Sequence, residues 1–209
     1  MESKKYFDKV AKDWDAMRSE FFPERVRERA YSVAEIEVGK KAADIGAGTG
    51  FVTEGLIKRG LKVVVVDQSL EMLNEIKEKF GDKGEIKFRQ GIAEELPLED
   101  EEVDYVFANM FLHHVENPAK VINEMVRVLK IGGKLVITDL DEHNFEILRK
   151  EQYDRWMGFD RKDIAKWFIE AGLNEVKVDS VESSCCTATD CNSENISISI
   201  FVASGVKSR

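Results

Sequence analysis

Three glycines at alternate positions, Gly46, Gly48 and Gly50, follow a short apolar run that contains Asp44. Glycine tolerates positive φ and lets a ligand approach the backbone, and the helix expected next would offer free N–H groups to an anionic ligand. Glycines are also common in ordinary tight turns, so the glycines alone are weak evidence and a second observation is needed. Another apolar run ends at Asp67, 67 − 46 = 21 positions after Gly46, where doubly wound sheets place a carboxylate that binds ribose hydroxyls. Together these residues predict a site for a nucleoside-bearing cofactor.

The spacing of the glycines also bears on which cofactor is bound. Dinucleotide sites use Gly-x-Gly-x-x-Gly, whereas here the third glycine comes one position early and Phe51 follows it. No acid–base set for hydride transfer is recognisable. An NAD-dependent oxidoreductase is therefore the least favoured of three functions.

Five segments carry recognisable motifs: 44–50, 91–97, 103–109, 113–118 and 127–135. They resemble the motifs of class I S-adenosylmethionine-dependent methyltransferases, in the small-molecule branch that includes quinone-biosynthesis enzymes, and 44–50 resembles motif I. The resemblance implies an α/β fold of three layers. This fold has a Rossmann-like, seven-stranded, mostly parallel sheet whose last strand returns antiparallel between strands five and six, and an N-terminal helical lid. The resemblance also implies S-adenosylmethionine as the cofactor.

The resemblance assigns the cofactor-binding residues one by one. Asp44 and the glycine backbone would face the methionine portion, Asp67 would hold the ribose, and Gln68 and Met72 would lie beside the adenine. Relatives often carry an acid where this chain has Ile92, so adenine recognition is expected to be weaker here or to move to Glu94. The full predicted set is Asp44, Gly46, Ala47, Gly48, Asp67, Gln68, Met72, Ile92, Ala93, Asn109 and Trp14. Asp44 as a strand-end carboxylate and Met72 as a core residue are the alternatives.

Apolar side chains recur at helical spacing over residues 4–18. A helix packed on the core explains this pattern. In the resembling family such a segment folds over the cofactor as a lid, which would place Tyr6, Trp14 and Arg18 near the closed site.

The remaining elements alternate as expected for a parallel sheet covered by helices on both faces. A single domain is predicted, with a lid (1–38), a cofactor-binding core (41–139) and a substrate side (140–209). Strands are expected at 41–45, 62–67, 85–90, 103–109, 134–139, 175–181 and 196–203, and helices at 22–36, 49–59, 69–80, 117–130 and 160–171. Gly39 should end the helix over 22–36. A polar, helix-like insertion is predicted at 139–157 and a long exposed loop at 183–195.

Methyl transfer from a sulfonium is an in-line displacement for which the cofactor supplies the leaving group, so catalysis rests mainly on positioning. The catalytic residue is therefore not predicted. Histidine in general titrates near neutral pH, which makes His113 and His114 candidates for a general base, yet in the resembling family such a pair more often has a structural role. The residues expected to shape the substrate side are Tyr6, Arg18, His113, Asp139, His143, Trp156 and Phe159. For His143 a surface position is the alternative.

All three cysteines, Cys185, Cys186 and Cys191, lie close together near the end of the sixth strand. Thiolates bind soft metals and metalloids, which suggests a metal site or a thiol-bound metalloid acceptor. Adjacent strand residues point to opposite faces and zinc-type spacings are absent, so a loop with incidental thiols is the alternative.

Composition bounds the class of protein. With 209 residues, 43% hydrophobic and 34% charged, the chain suits one domain with a full core. A net charge of −9 without a basic patch argues against nucleic acid as a partner, and no apolar run is long enough for a bilayer. A small-molecule partner and a cytoplasmic location are expected, while oligomeric state is not predicted.

The sequence thus predicts an enzyme that transfers methyl from S-adenosylmethionine to a small molecule. The alternative is a non-catalytic module that binds S-adenosylmethionine or S-adenosylhomocysteine.

Overall fold

The sheet has the topology that the sequence predicts. The computed structural model describes residues 2–146, 149, 153–188 and 195–208. Seven strands lie within these residues: β1 (Lys41–Ile45), β2 (Lys62–Asp67), β3 (Ile86–Gln90), β4 (Val103–Asn109), β5 (Leu129–Leu140), β6 (Leu173–Ala188) and β7 (Asn195–Lys207). Their order is β3-β2-β1-β4-β5-β7-β6. β7 runs antiparallel to both neighbours, which confirms the predicted return of the last strand.

Helices flank the sheet and begin where the sequence offers caps. They are α1 (Glu2–Val10), α2 (Trp14–Phe21), α3 (Arg25–Ala34), α4 (Phe51–Lys58), α5 (Leu70–Phe80), α6 (Pro118–Val128) and α7 (Arg161–Glu170), with a 3-10 turn at Leu112–His114. The Ser69 hydroxyl accepts from Met72 N at 3.2 Å, as predicted for an N-cap. The Asn117 side chain caps α6 in the same way, with Pro118 in the first turn.

The core forms two clusters, one on each face of the sheet. Successive strand residues point to opposite faces, so in β2 Val63 and Val65 join the cluster of α3, α4 and α5. Val64 and Val66 join the cluster of α6 and α7. A strand buried on both faces reads as a continuous apolar run, which explains why the sequence predicts this strand correctly.

The N-terminal segment is two helices rather than one. Residues 11–13 form a turn between α1 and α2, which corrects the single helix predicted over 4–18. The break lets each helix pack on a different partner, because α1 contacts α5 while α2 contacts β6. The next helix, α3, ends at Glu35 in the left-handed conformation (φ 51°), so the prediction that Gly39 ends it was wrong.

The last two strands extend much further than predicted. Residues 183–188 continue β6 and pair with β7, from Ser184 opposite Ser199 to Ala188 opposite Asn195, so most of the predicted loop is a two-stranded ribbon. The alternation of polar and apolar residues that is typical of a strand is weak over 183–188, so the sequence does not reveal this part of β6. Residues 189–194 lie outside the described residues, as does the middle of the insertion predicted over 139–157; residues 142–145 have no regular structure. Of the described helices, none has both the length and the apolar character that crossing a bilayer requires.

Replacing Gly158 with alanine should destabilise the fold. Gly158 has φ +68°, and a Cβ there would lie 2.1 Å from the Asp141 carbonyl oxygen, so the chain would have to shift in addition to bearing the left-handed strain. We expect Gly158→Ala to lower the free energy of unfolding by about 2–3 kcal/mol, measured by urea titration. Gly132→Ala is the matched control, because Gly132 has φ +77° and nothing within 4 Å; a loss of about 1 kcal/mol is expected. Equal losses would contradict this account.

Candidate functional site

The glycine turn between β1 and α4 is held against the end of β2. Gly46 N donates to Val66 O at 2.9 Å, and Gly46, Gly48 and Gly50 all have positive φ. A Cβ on Gly46 would lie 2.1 Å from the Phe111 ring. Glycine is therefore required at position 46 both for its conformation and for the close approach of Phe111.

Asp67 connects this turn to the start of α5. Its carboxylate accepts hydrogen bonds from Gly48 N at 2.9 Å and from Ser69 N at 2.8 Å. Burial raises the pKa of Asp67 to about 6, even though these backbone hydrogen bonds favour the charged form. Because a carboxylate has about four acceptor positions, the two oxygens can still accept from ligand hydroxyls.

Two adjoining cavities open at this edge of the sheet. The first, of about 520 Å³, runs from Asp67 to the start of α6. The second, of about 70 Å³, lies between the glycine turn and α2. Ten of the eleven predicted cofactor residues line one or both cavities: Trp14, Gly46, Ala47, Gly48, Asp67, Gln68, Met72, Ile92, Ala93 and Asn109. The structure thus brings together residues that are far apart in the sequence.

Asp44 is the exception. Its side chain is 1% exposed, lines neither cavity, and accepts a hydrogen bond from the Thr53 hydroxyl at 2.6 Å. Burial raises the pKa of Asp44 to about 7 against the opposing effect of the Thr53 hydrogen bonds. The prediction that Asp44 faces the ligand is corrected: the carboxyl group lies behind the glycine turn and supports it.

The other end of the first cavity contains Ile92, at the position where the resembling family often has an acid. Ile92 is half exposed at the rim. Glu94 lines the same cavity, and its carboxylate accepts a hydrogen bond from Glu116 N at 3.3 Å. The structure thus places Glu94 as well as Ile92 at this end of the cavity.

The two N-terminal helices are tied to the two turns that frame the cavities. The Ser69 hydroxyl donates to Asp8 at 2.6 Å, and the Thr49 hydroxyl donates to Asp15 at 2.5 Å. Lys79 also pairs with Asp15. The Trp14 indole nitrogen lies 3.4 Å from where a Cβ on Gly48 would stand. α2 therefore covers the glycine turn and α1 covers the turn after β2, as a lid would.

Tyr6 and Arg18, two lid residues that the sequence predicts on the substrate side, have other positions. The Tyr6 ring packs edge-on against Phe7 and at a tilt against Tyr153, and Tyr6 is not a lining residue of the cavities. The Arg18 guanidinium lies 4.2 Å from the centre of the Phe51 ring and lines the second cavity. Arg18 is thus grouped with the predicted cofactor residues.

A third, smaller cavity of about 30 Å³ adjoins the second and shares Trp14, Phe22, Met110 and His114 with it. Its walls are mainly aromatic and apolar, and one end is polar. The lining residues are Trp14, Phe21, Phe22, Met110, His113, His114, Leu140, Asp154 and Cys185. At about 30 Å³ this space holds little more than a water molecule, so it is a candidate binding site for a second molecule only if the side chains around it move apart.

His113 is fixed by a buried carboxylate. Its Nδ1 lies 2.6 Å from Asp139 Oδ1, and Asp139 also accepts from the backbone N–H groups of Leu112 and Leu140 at 2.8 Å each. Burial alone would lower the pKa of His113, but the charges of Asp139 and Asp154 outweigh it and raise the pKa to about 9. Burial and the neighbouring His113 hold the pKa of His114 well below its usual value.

Four residues predicted for the substrate side do not line the third cavity. Asp139 lies beneath His113 and orients it. His143 is buried, and its Nδ1 accepts from Phe145 N at 3.2 Å. The Trp156 indole donates to Val115 O at 3.0 Å, and Phe159 packs in the core against Trp167. These aromatic residues hold the segment after β5 in place instead of forming the pocket.

Sequence reasoning missed Phe22, Met110 and Asp154. The sequence predicts only the start of a helix at Phe22, Met110 follows the predicted fourth strand, and Asp154 is one acid among many in a polar insertion. Only the fold brings them together, so no pattern in the sequence distinguishes them.

The cysteines do not form the predicted metal site in the described part of the chain. Cys185 is buried and lines the third cavity. The side chain of Cys186 and all of Cys191 lie outside the described residues. Among the described residues, the group whose potential ligand atoms converge is His113, His114 and Asp154, and Cys185 is not a member of it.

Comparison with known proteins agrees with this arrangement. A family model described as a methyltransferase domain matches residues 43–137. The chain is 31% identical over 159 residues to 2-methyl-6-phytyl-1,4-hydroquinone methyltransferase 1 of Oryza sativa subsp. japonica, covering 74% of this chain and 48% of the relative. It is 35% identical over 136 residues to demethylmenaquinone methyltransferase of Paenarthrobacter aurescens strain TC1, covering 64% and 53%. The chain therefore spans about half the length of these relatives.

The fold is shared with solved structures at lower identity. A structure described as a complex between the Haloferax volcanii Trm112 methyltransferase activator and a methyltransferase matches with a TM-score of 0.80 at 20% identity. The match covers 97% of this chain and 98% of the other. At this identity the likeness supports the fold alone.

Proposed function

Since the chain belongs to the class I S-adenosylmethionine-dependent methyltransferases, we propose that it transfers a methyl group from this cofactor to a small hydroxylated aromatic compound of the hydroquinone type. The observation that carries the proposal is the junction of the second and third cavities at Trp14, Phe22, Met110 and His114. A cofactor in the first two cavities would present its methyl group to a molecule in the third.

In this reaction the main task of the protein is to align the two reactants. The bond between the methyl carbon and sulfur breaks as the bond to the acceptor atom forms, S-adenosylhomocysteine leaves, and the acceptor releases the proton that the methyl group replaces. Holding the two reactants close and collinear can supply roughly 7–11 kcal/mol of the barrier. Asp67 and the glycine turn fix one reactant, and the aromatic wall of Phe21 and Phe22 would fix the other.

The hydroquinone class is favoured by the walls of the third cavity. Trp14, Phe21 and Phe22 suit a flat ring, while His113 and Asp154 at the polar end suit a hydroxyl group. Two of the relatives are named for acceptors of this kind. A thiol-bound metalloid acceptor is not favoured, because the described cysteine does not converge with other ligands. The cytoplasmic location stays a prediction.

The test is transfer of labelled methyl from S-adenosylmethionine to a panel of benzohydroquinones and naphthohydroquinones, with primary amines as the comparison set. We expect label in the organic extract with hydroquinones and none with amines. Calorimetry on the same preparation measures cofactor affinity separately. Tight cofactor binding without transfer to any member of the panel would overturn the proposal and favour a binding module.

A further inference from the structure

Three side chains at the polar end of the third cavity point potential ligand atoms at one another. His113 Nε2 lies 3.7 Å from Asp154 Oδ1, and His114 Nδ1 lies 3.5 Å from the same oxygen. The three atoms all lie within 4.8 Å of one another. The side chains of His113 and Asp154 are 6% and 3% exposed, and that of His114 is 10% exposed. The cluster is therefore shielded from bulk water.

Two of these atoms are buried polar atoms without a hydrogen-bond partner among the described residues, namely His114 Nδ1 and Asp154 Oδ1. When deprotonated, each of these two atoms is a hydrogen-bond acceptor. Two buried acceptors facing each other are unfavourable unless a cation or a donor lies between them.

The third atom is oriented in the manner of a metal ligand. Asp139 accepts from His113 Nδ1, so Nε2 is the ring nitrogen that faces Asp154. A metal ion bound at Nε2 would displace the proton that this nitrogen carries. Such a carboxylate behind a histidine is the usual second shell of a bound metal, where it fixes the tautomer and the orientation of the ring.

The backbone holds Asp154 against the histidines. Arg155 N and Trp156 N both donate to the His113 carbonyl, at 3.0 and 3.1 Å. These hydrogen bonds flank Asp154 on its C-terminal side. The distance between the acid and the histidine pair is therefore set by the fold.

The distances between the potential ligand atoms are close to those in a tetrahedral metal site. A metal bound at 2.0–2.1 Å from each ligand in a tetrahedron places neighbouring ligand atoms about 3.3–3.5 Å apart. The two separations that involve Asp154 are 3.5 and 3.7 Å, so little movement would be needed. Two imidazoles and one carboxylate suit zinc and similar divalent transition metals.

We propose that His113 Nε2, His114 Nδ1 and Asp154 Oδ1 bind one divalent transition-metal ion of the zinc type. Three protein ligands leave a coordination position open, as in catalytic zinc sites. All three residues line the third cavity, so the open position faces it. There the ion would bind an oxygen of the acceptor and polarise it; this role, unlike the site itself, rests on the proposed function.

The test measures metal binding without any acceptor. Protein purified without a polyhistidine tag and stripped with chelator is titrated with Co²⁺, and then with Zn²⁺ as competitor. We expect one equivalent of Co²⁺ with the strong visible absorption of low-coordinate cobalt, and a Zn²⁺ Kd below about 1 µM. Asp154→Asn keeps the side-chain shape, and we expect it to weaken binding at least about 100-fold, because loss of a second-shell partner alone weakens binding 10–100-fold.

His143→Gln is the matched control, since His143 is also buried and its Nε2 also has no partner among the described residues, yet it is not part of the cluster. We expect its cobalt spectrum and Kd to equal those of the unaltered protein. His114→Ala serves as a second ligand variant if Asp154→Asn does not fold. The proposal is overturned by a Zn²⁺ Kd above this limit, or by ligand variants that bind as the unaltered protein does. Cofactor affinity and label transfer, measured in parallel, show separately whether the proposed function holds.

Discussion

The variant Asp67→Ala should lose at least about 100-fold of its affinity for S-adenosylmethionine. The Asp67 carboxylate sits where the first and second cavities meet, and the ribose hydroxyls of the cofactor would donate to it. Hydrogen bonds to a charged group contribute about 1.5–3 kcal/mol each, so losing two of them removes about 3–6 kcal/mol. The substitution also leaves Gly48 N and Ser69 N without their acceptor. Isothermal titration calorimetry measures the change directly.

Asp100→Ala is the control for this experiment. It makes the same chemical change at an exposed position, in an ion pair with Arg127, away from the lining of the cavities. Its cofactor affinity should equal that of the unaltered protein, and thermal unfolding of both variants shows that they are folded. If Asp67→Ala bound the cofactor as tightly as Asp100→Ala does, the cofactor site would have to be elsewhere.

The residues that the sequence identified share a physical property: their roles are set locally. Gly46 must be glycine because of its backbone conformation and the approach of Phe111, and Gly48 because of its backbone conformation. Asp67 closes a strand whose continuous apolar run makes its end easy to find. Chemistry that depends on a turn and the ends of two neighbouring strands can therefore be predicted from local sequence patterns.

The third cavity could not be predicted in this way. Its lining comes from α2, from the turn after β4, from the end of β5, from the segment after it and from β6. None of these parts carries a local pattern that marks Asp154 or Met110. Trp156 and Phe159 were plausible pocket residues because they are aromatic. Burial of apolar area decides the place of Phe159, whereas Trp156 is partly exposed and is held by the hydrogen bond from its indole to Val115 O.

The sequence did not predict the bounds of β6 or the break in the helix over 4–18, for related reasons. β6 continues through Ser184 and Cys185 because each residue finds a backbone partner in β7, and backbone pairing does not require apolar side chains. The helix over 4–18 breaks because α1 and α2 pack on different elements. Tertiary contacts overrode the local preference in both cases.

The buried carboxyl group of Asp44 lowers the stability of the folded protein when it ionises. Its carboxyl group is fully buried behind the glycine turn, and Thr53 is its side-chain partner. A group whose pKa is higher in the folded state than in the unfolded state contributes stability at low pH, and this contribution is lost as pH rises through the folded value. For Asp44 the pKa rises from 3.8 to about 7, so the loss falls between roughly pH 4 and pH 7.

We therefore expect Asp44→Asn to flatten the pH dependence of stability in the ligand-free protein. Taking the two pKa values of Asp44, the unaltered protein should lose roughly 2–3 kcal/mol between pH 5 and pH 8 through this group. Asparagine keeps an acceptor for Thr53 and has no charge to bury. The measurement is urea unfolding at pH 5, 6, 7 and 8, with the difference between variant and unaltered protein taken at each pH.

The difference between two proteins is the informative quantity, because other groups titrate over the same range. His113, whose pKa is raised, also loses stability as pH rises, whereas His114, whose pKa is lowered, acts in the opposite direction; both effects cancel in the comparison. Asp100→Asn, an exposed acid, should follow the unaltered protein. A constant difference between Asp44→Asn and the unaltered protein from pH 5 to pH 8 would show that Asp44 is already ionised throughout. Its carboxylate would then need a stabilising partner besides Thr53, and the glycine turn would be the first place to look for one.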